Sequence, residues 1–112
     1  MKALSLHQPW ASMIASGAKT IETRTKSTNY RGDLLIVSTK KPEIPGFPLG
    51  QALCIAKLVN CRPMIASDEA AARCKLNEGA FSWVLSEIRQ IKPFYVRGQQ
   101  GLFEVELPDE YS

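Results

Sequence analysis

The chain has 112 residues, a formal net charge of +3, 45% hydrophobic and 22% charged side chains. That length predicts one folded unit over residues 1–112 with a core of its own, and the composition excludes disorder. No run of about 18 apolar residues occurs, so no membrane span is expected. Three cysteines (Cys54, Cys61 and Cys74), with no CxxC pair, exclude a disulfide framework and a zinc site; no metal or other cofactor is expected, and a reducing cytoplasm fits best.

Taken in order, the segment from Ala3 to Gln8 predicts a strand rather than a secretion signal. Pro9 suits the first position of a helix, where its missing N–H costs nothing. Trp10, Met13 and Ile14 then give one apolar helical face, and Gly17 marks the stop. Lys19 to Arg24 is strand-like through Thr20, Ile21 and Thr23. A period of two puts Thr20, Glu22 and Arg24 on one face, and Ile21 and Thr23 on the other. The direction of Lys19, where the backbone is still turning, stays open.

Residues 25–31 form a polar connection ending at Arg31-Gly32. Asp33 to Thr39 holds Leu34-Leu35-Ile36-Val37, an unbroken apolar run that predicts a central strand buried on both faces. Residues 40–50, rich in Pro and Gly, predict a loop, and Gln51 to Val59 a further strand. Ser67 is the expected N-cap of a short helix, with Asp68 and Glu69 in its first turn. Phe81 to Leu85 predicts a strand with Phe81, Trp83 and Leu85 on one side, continuing irregularly to Ile91. After the turn Arg97-Gly98-Gln99-Gln100-Gly101, Leu102 to Leu107 alternates cleanly, with Phe103, Val105 and Leu107 inward. About six strands and two short helices, in this irregular order, argue for an α+β domain or a small, partly open barrel rather than a doubly wound sheet.

Four groupings bear on chemistry. Lys19-x-x-Glu22-x-Arg24 makes either a surface ion-pair network or a polar ligand site, because a guanidinium forks onto phosphate or carbonyl oxygens and a carboxylate accepts from an amino group. His7-Gln8-Pro9-Trp10 stands at the first strand–helix corner; Trp10 belongs either to the core or to a site there. His7 is the one histidine and has no nucleophile motif beside it, so a hydrolytic triad is not supported. Trp83 and Tyr30 either line a core or stack on a base. The glycines of the 97–101 turn would let backbone approach a phosphate, or serve the turn alone. Residues 19–41 carry six Lys or Arg against two acids, and residues 101–112 carry four acids and no base. The first stretch therefore offers a basic surface.

The order of these motifs is itself informative. Ser5-Leu6-His7-Gln8-Pro9-Trp10-Ala11, then Gly17-x-Lys19-x-x-Glu22-x-Arg24, then Tyr30-Arg31-Gly32 before an apolar strand, resembles the ASCH domain. Phe81-x-Trp83-x-Leu85 and Gly98-Gln99-Gln100-Gly101-Leu102 look like the closing segments of the same family. The resemblance implies a PUA-like small β-barrel of about six strands with two short flanking helices. It also implies binding of RNA or of a nucleoside-type small ligand in a cleft between barrel and first helix. On that basis Gln8, Trp10, Lys19, Glu22, Arg24, Lys26, Tyr30, Arg31, Lys40 and Trp83 are the expected binding residues, with Lys41 on the basic rim. A monomer is favoured.

Some members of the family resemble amidohydrolases of N4-acetylcytidine, others are linked to ribonuclease activity, and others act as coactivator-like adaptors. In a hydrolase, Lys19 and Glu22 would be the candidate catalytic pair. The amidohydrolase branch has Thr where this chain has Glu22, and its further catalytic Glu has no matched position here, Glu78 and Glu87 being the acids available. The family's closing Trp is Phe103. The resemblance thus implies binding first and hydrolysis as the alternative.

Overall fold

The computed structural model describes residues 1–111, and the apolar run 34–37 lies at its centre. β3 (Gly32–Ser38) pairs in parallel with β1 (Lys2–Leu6) and antiparallel with β4 (Gln51–Pro63). Leu34 and Ile36 pack into one core with Leu4, Leu6, Ile14, Trp83 and Leu85. Leu35 and Val37 pack into a second with Ala3, Ala52 and Phe103. All four run residues are fully buried. Burial on both faces is why the strand reads as continuously apolar rather than alternating. Cys54 is buried beside them, its thiol pushed up to about 12 by burial, and so is an inert part of the core.

β5 (Phe81–Tyr95) extends the sheet beyond β4, and β2 (Ile21–Arg24) forms the edge beyond it. At the other edge β6 (Leu102–Glu104) lies on β1. The strand order is β2-β5-β4-β3-β1-β6, and the six strands curl into a half-barrel. Register shifts in both the β3–β4 and β4–β5 ladders, with Glu87 at φ +50°, supply bulges that sharpen the curl. The result is the expected PUA-like architecture. Among the described residues no helix is long and apolar enough to cross a membrane.

Several local expectations need correction. The first strand stops at Leu6, and Pro9 is the N-cap of α1 (Trp10–Ala15) rather than its first residue. Gln8 satisfies the start of that helix. Its Oε1 accepts from the Ser12 N–H (2.9 Å), and its Nε2 donates to Ser12 Oγ and to the Pro48 carbonyl (both 2.8 Å). Gly17, at φ +83°, ends the helix as expected.

Ser67 is not an N-cap: it lies inside a 3₁₀ turn over Ala66–Asp68. Asp68 provides the anchor instead, accepting from the Ile65 N–H, from both terminal nitrogens of Arg62 and from Ser82 Oγ. α2 (Glu69–Ala72) follows directly. β4 and β5 both run several residues past the predicted ends, whereas β6 stops at Glu104. Val105 and Leu107 still pack against the second core, as their alternation predicts.

Candidate nucleotide-binding cleft

β2 sets the floor of the site. Ile21 points into a small core with Met64, Ala72 and Ala80. Strand alternation therefore sends Glu22 and Arg24 to the opposite face. There they help line an open cleft of about 730 Å³ between the sheet and α1. Ser5, Leu6 and His7 come from β1 and the corner after it, and Trp10 from α1. Thr25 to Thr28 follow β2, Thr39 follows β3, Trp83 is on β5, and Gln99 to Leu102 close one side.

Glu22 is nearly buried and stands between two cations. Lys19 Nζ is 3.6 Å from its Oε1, and Arg24 Nη1 is 3.6 Å from its Oε2. Burial raises the Glu22 carboxyl above its ordinary value, while the charges of Lys19 and Arg24 pull it back down. Lys19 lies behind the carboxylate rather than in the cleft wall. It is 3% exposed and donates to the Ala72 carbonyl at 2.5 Å, which ties the end of α2 to the site. Its side chain thus faces inward, the direction that the turning backbone left open.

Each cation also faces an indole. Lys19 Nζ lies 5.7 Å from the Trp10 ring centre, and Arg24 Cζ lies 5.9 Å from that of Trp83. Both distances suit cation–π contact. Trp83 is cross-strand neighbour to Glu22, and its Nε1–H donates to the Lys26 carbonyl at 3.0 Å. That bond fixes both the ring and the start of the 25–31 connection. Trp10 is 39% exposed, so it serves the cleft rim rather than the core.

The remaining expected residues are distributed more widely. Lys26 lines the cleft with Arg24. Gln8 is buried beneath it and spent on helix capping. Tyr30 packs on the first core and donates from its hydroxyl to the Asp33 carbonyl at 2.5 Å. Arg31 donates to the Thr28 and Tyr30 carbonyls and pins the polar connection. Lys41 pairs with Glu43 at 3.0 Å. Lys40 borders a separate groove. Sequence reasoning did not assign Ser5, Thr25, Ser27, Thr28, Thr39 or Gln99 to the site. A polar stretch directly after a site strand was the available signal for residues 25–28.

His7 Nδ1 and Thr39 Oγ1 share a hydrogen bond of 2.9 Å in the cleft wall. Thr39 Oγ1 donates onward to the Lys41 carbonyl at 2.8 Å. The hydroxyl proton is therefore engaged away from the imidazole, and the ring donates to Thr39 rather than acting as its base. The arrangement supports a carboxylate acceptor, a guanidinium and one exposed aromatic face, that of Trp10, around one space, while Trp83 lines that space from the first core, 4% exposed and faced by Arg24.

A family model for the ASCH domain matches residues 4–95. The human and mouse proteins named activating signal cointegrator 1 are each 48% identical to this chain over 42 residues, covering 38% of it. The chain spans only about 7% of the length of those curated relatives. Among solved structures, ASCH from Zymomonas mobilis aligns with a TM-score of 0.73 at 18% identity, covering 97% of this chain and 88% of that one. A single-residue variant of the same protein gives 0.69, also at 18% identity, over 94% and 89% of the two chains. At that identity the likeness is one of fold.

Proposed function

The chain belongs to the ASCH domain family, and from that premise we propose that it binds RNA or a nucleotide-type ligand in the β2–α1 cleft. The observation that carries the reading is the Glu22 carboxylate held between Lys19 and Arg24, on the floor of a cleft walled by Trp10 and Trp83. Arg24 and Lys26 take a phosphate or carbonyl oxygen. Glu22 accepts from a base amino group, and Lys19 favours its ionised form and aims it. Trp10 offers the base an exposed aromatic face.

Hydrolysis is the weaker reading. Lys19 is sealed behind Glu22 and bonded to a backbone carbonyl, away from any reacting group. The proton of Thr39, the cleft hydroxyl bonded to His7, is already engaged.

The test is titration of intrinsic tryptophan fluorescence with nucleoside monophosphates and short RNA at several salt concentrations. The wild type quenches and its RNA affinity falls with salt. Arg24→Ala weakens binding about tenfold or more, the loss expected for a charge-assisted hydrogen bond. Binding that ignores salt and survives Arg24→Ala combined with Lys26→Ala contradicts the proposal.

A further inference from the structure

A second aromatic group sits outside the cleft. Tyr95, at the end of β5, is 81% exposed, against 54% for Ile65, another exposed large side chain. It borders a groove of about 440 Å³ with Lys40 and Arg97. Among the described residues neither cation has an ion-pair or hydrogen-bond partner, and the Tyr95 hydroxyl is likewise unbonded.

The groove is held by backbone. Tyr95 pairs with Gln51 at the last rung of the β4–β5 ladder, and the Val96 N–H donates to the Gly50 carbonyl at 3.0 Å. Gly50, at φ +67°, leaves room that the stem of Lys40 fills: a Cβ there would stand 2.9 Å from Lys40 Cγ. The lysine stem is thus laid along the backbone at Gly50, in the groove that Tyr95 also lines. Glu104, which shares the adjoining surface with Tyr95 and Arg97, is occupied by Lys2 at 3.0 Å and by the N-terminal amine at 3.4 Å. Glu106 and Asp109 border that same adjoining surface, so the positive charge is confined to the groove between Lys40 and Arg97.

Two short stretches of chain join this groove to the cleft. Thr39 lines the cleft and Lys40 the groove; Arg97 lines the groove and Gln99 the cleft. Two residues of backbone span no more than about 7 Å, so the sites are neighbours along one surface. An exposed ring on a rigid ladder end, flanked by two uncommitted cations, is the chemistry of a stacking platform for a single strand.

We propose that Tyr95, Lys40 and Arg97 form a second base-stacking subsite, which takes a nucleotide of single-stranded RNA as the strand leaves the cleft. Tyr95 stacks on the base, and Lys40 and Arg97 hold the flanking phosphates. The inference rests on the cleft reading above and extends it from a single nucleotide to a strand.

The test compares a nucleoside monophosphate with a fluorescent oligoribonucleotide of about eight nucleotides. Both are titrated into the wild type, Tyr95→Ala, Tyr95→Phe, Arg97→Ala and Arg24→Ala, with circular dichroism melts as a check on folding. Tyr95→Ala is expected to weaken the oligonucleotide about 5- to 150-fold, the range of aromatic stacking on a base, and to leave the mononucleotide unchanged. Tyr95→Phe keeps the ring and the affinity. Arg97→Ala reduces the slope of log affinity against log salt by about 0.7.

If the oligonucleotide is indifferent to Tyr95→Ala yet weakened by Arg24→Ala, the second subsite is overturned, the cleft reading stands, and the exposed ring belongs to a partner of another kind. If the wild type binds neither ligand, the cleft reading fails and takes this subsite with it.

Discussion

At Glu22, burial and charge pull in opposite directions. Desolvation raises its carboxyl and the two neighbouring cations lower it, with desolvation the larger effect. The sign of the consequence follows from linkage. A carboxyl raised in the folded state contributes stability that is fully present below the ordinary carboxyl range. That contribution is lost as pH rises through the raised value. A ligand amino group donating to the ionised carboxylate gains over the same window. Wild-type affinity for an amino-bearing nucleotide therefore increases as pH rises just above the ordinary glutamate range, and Glu22→Gln flattens the profile. Fluorescence titrations across that range measure both; superimposable profiles would exclude Glu22 as the acceptor. The pairing of Glu22 with Arg24 was legible from strand period alone. The role of Lys19 was not, because its direction depends on the distant Ala72 carbonyl.

The segment between β4 and β5 makes an independent prediction. Asp68 accepts two bonds from Arg62 (2.7 and 2.8 Å), one from the Ile65 N–H (3.0 Å) and one from Ser82 Oγ (2.9 Å). The Arg62 bonds come first among the causes that hold its carboxyl well below the usual range. This contribution to stability is present above the ordinary aspartate range and is lost as pH falls below it. Asp68→Ala should cost ~3 kcal/mol in urea denaturation at neutral pH, since it strands Arg62 and Ser82. The gap from wild type should narrow in acid. An equal loss at all pH values would mean that the carboxylate charge is not what matters. Sequence pattern alone assigned the N-cap to Ser67, a good capping residue by type. The side-chain network across β4 and β5 chose Asp68. The same two strands outran their predicted ends because bulges break the alternation by which strands are recognised.

Across the whole molecule, the half-barrel brings β1, α1, β2, β3, β5 and the 97–101 turn to one cleft. The order of motifs along the chain was enough to anticipate the fold. Which polar residues meet across the cleft was not, since His7 and Thr39 are joined only by the parallel pairing of β1 with β3. The spread of Tyr30, Arg31 and Lys40 away from the cleft has the same origin: their charge and aromaticity were visible, but the direction of Tyr30 and Arg31 is set by loop hydrogen bonds, and the Lys40 stem lies in the space beside Gly50. The central claim is that one ligand space lies between the two tryptophans and the Glu22–Arg24 pair. It is tested most directly by nuclear magnetic resonance titration of isotope-labelled protein with a nucleoside monophosphate, following the indole N–H signals of Trp10 and Trp83 and the backbone of residues 22–28. Saturable shifts are expected at both indoles and along that segment, and are expected to be absent in Arg24→Ala. Shifts confined to residues outside the cleft, or none at a saturating concentration of every common nucleotide and of short RNA, would contradict it.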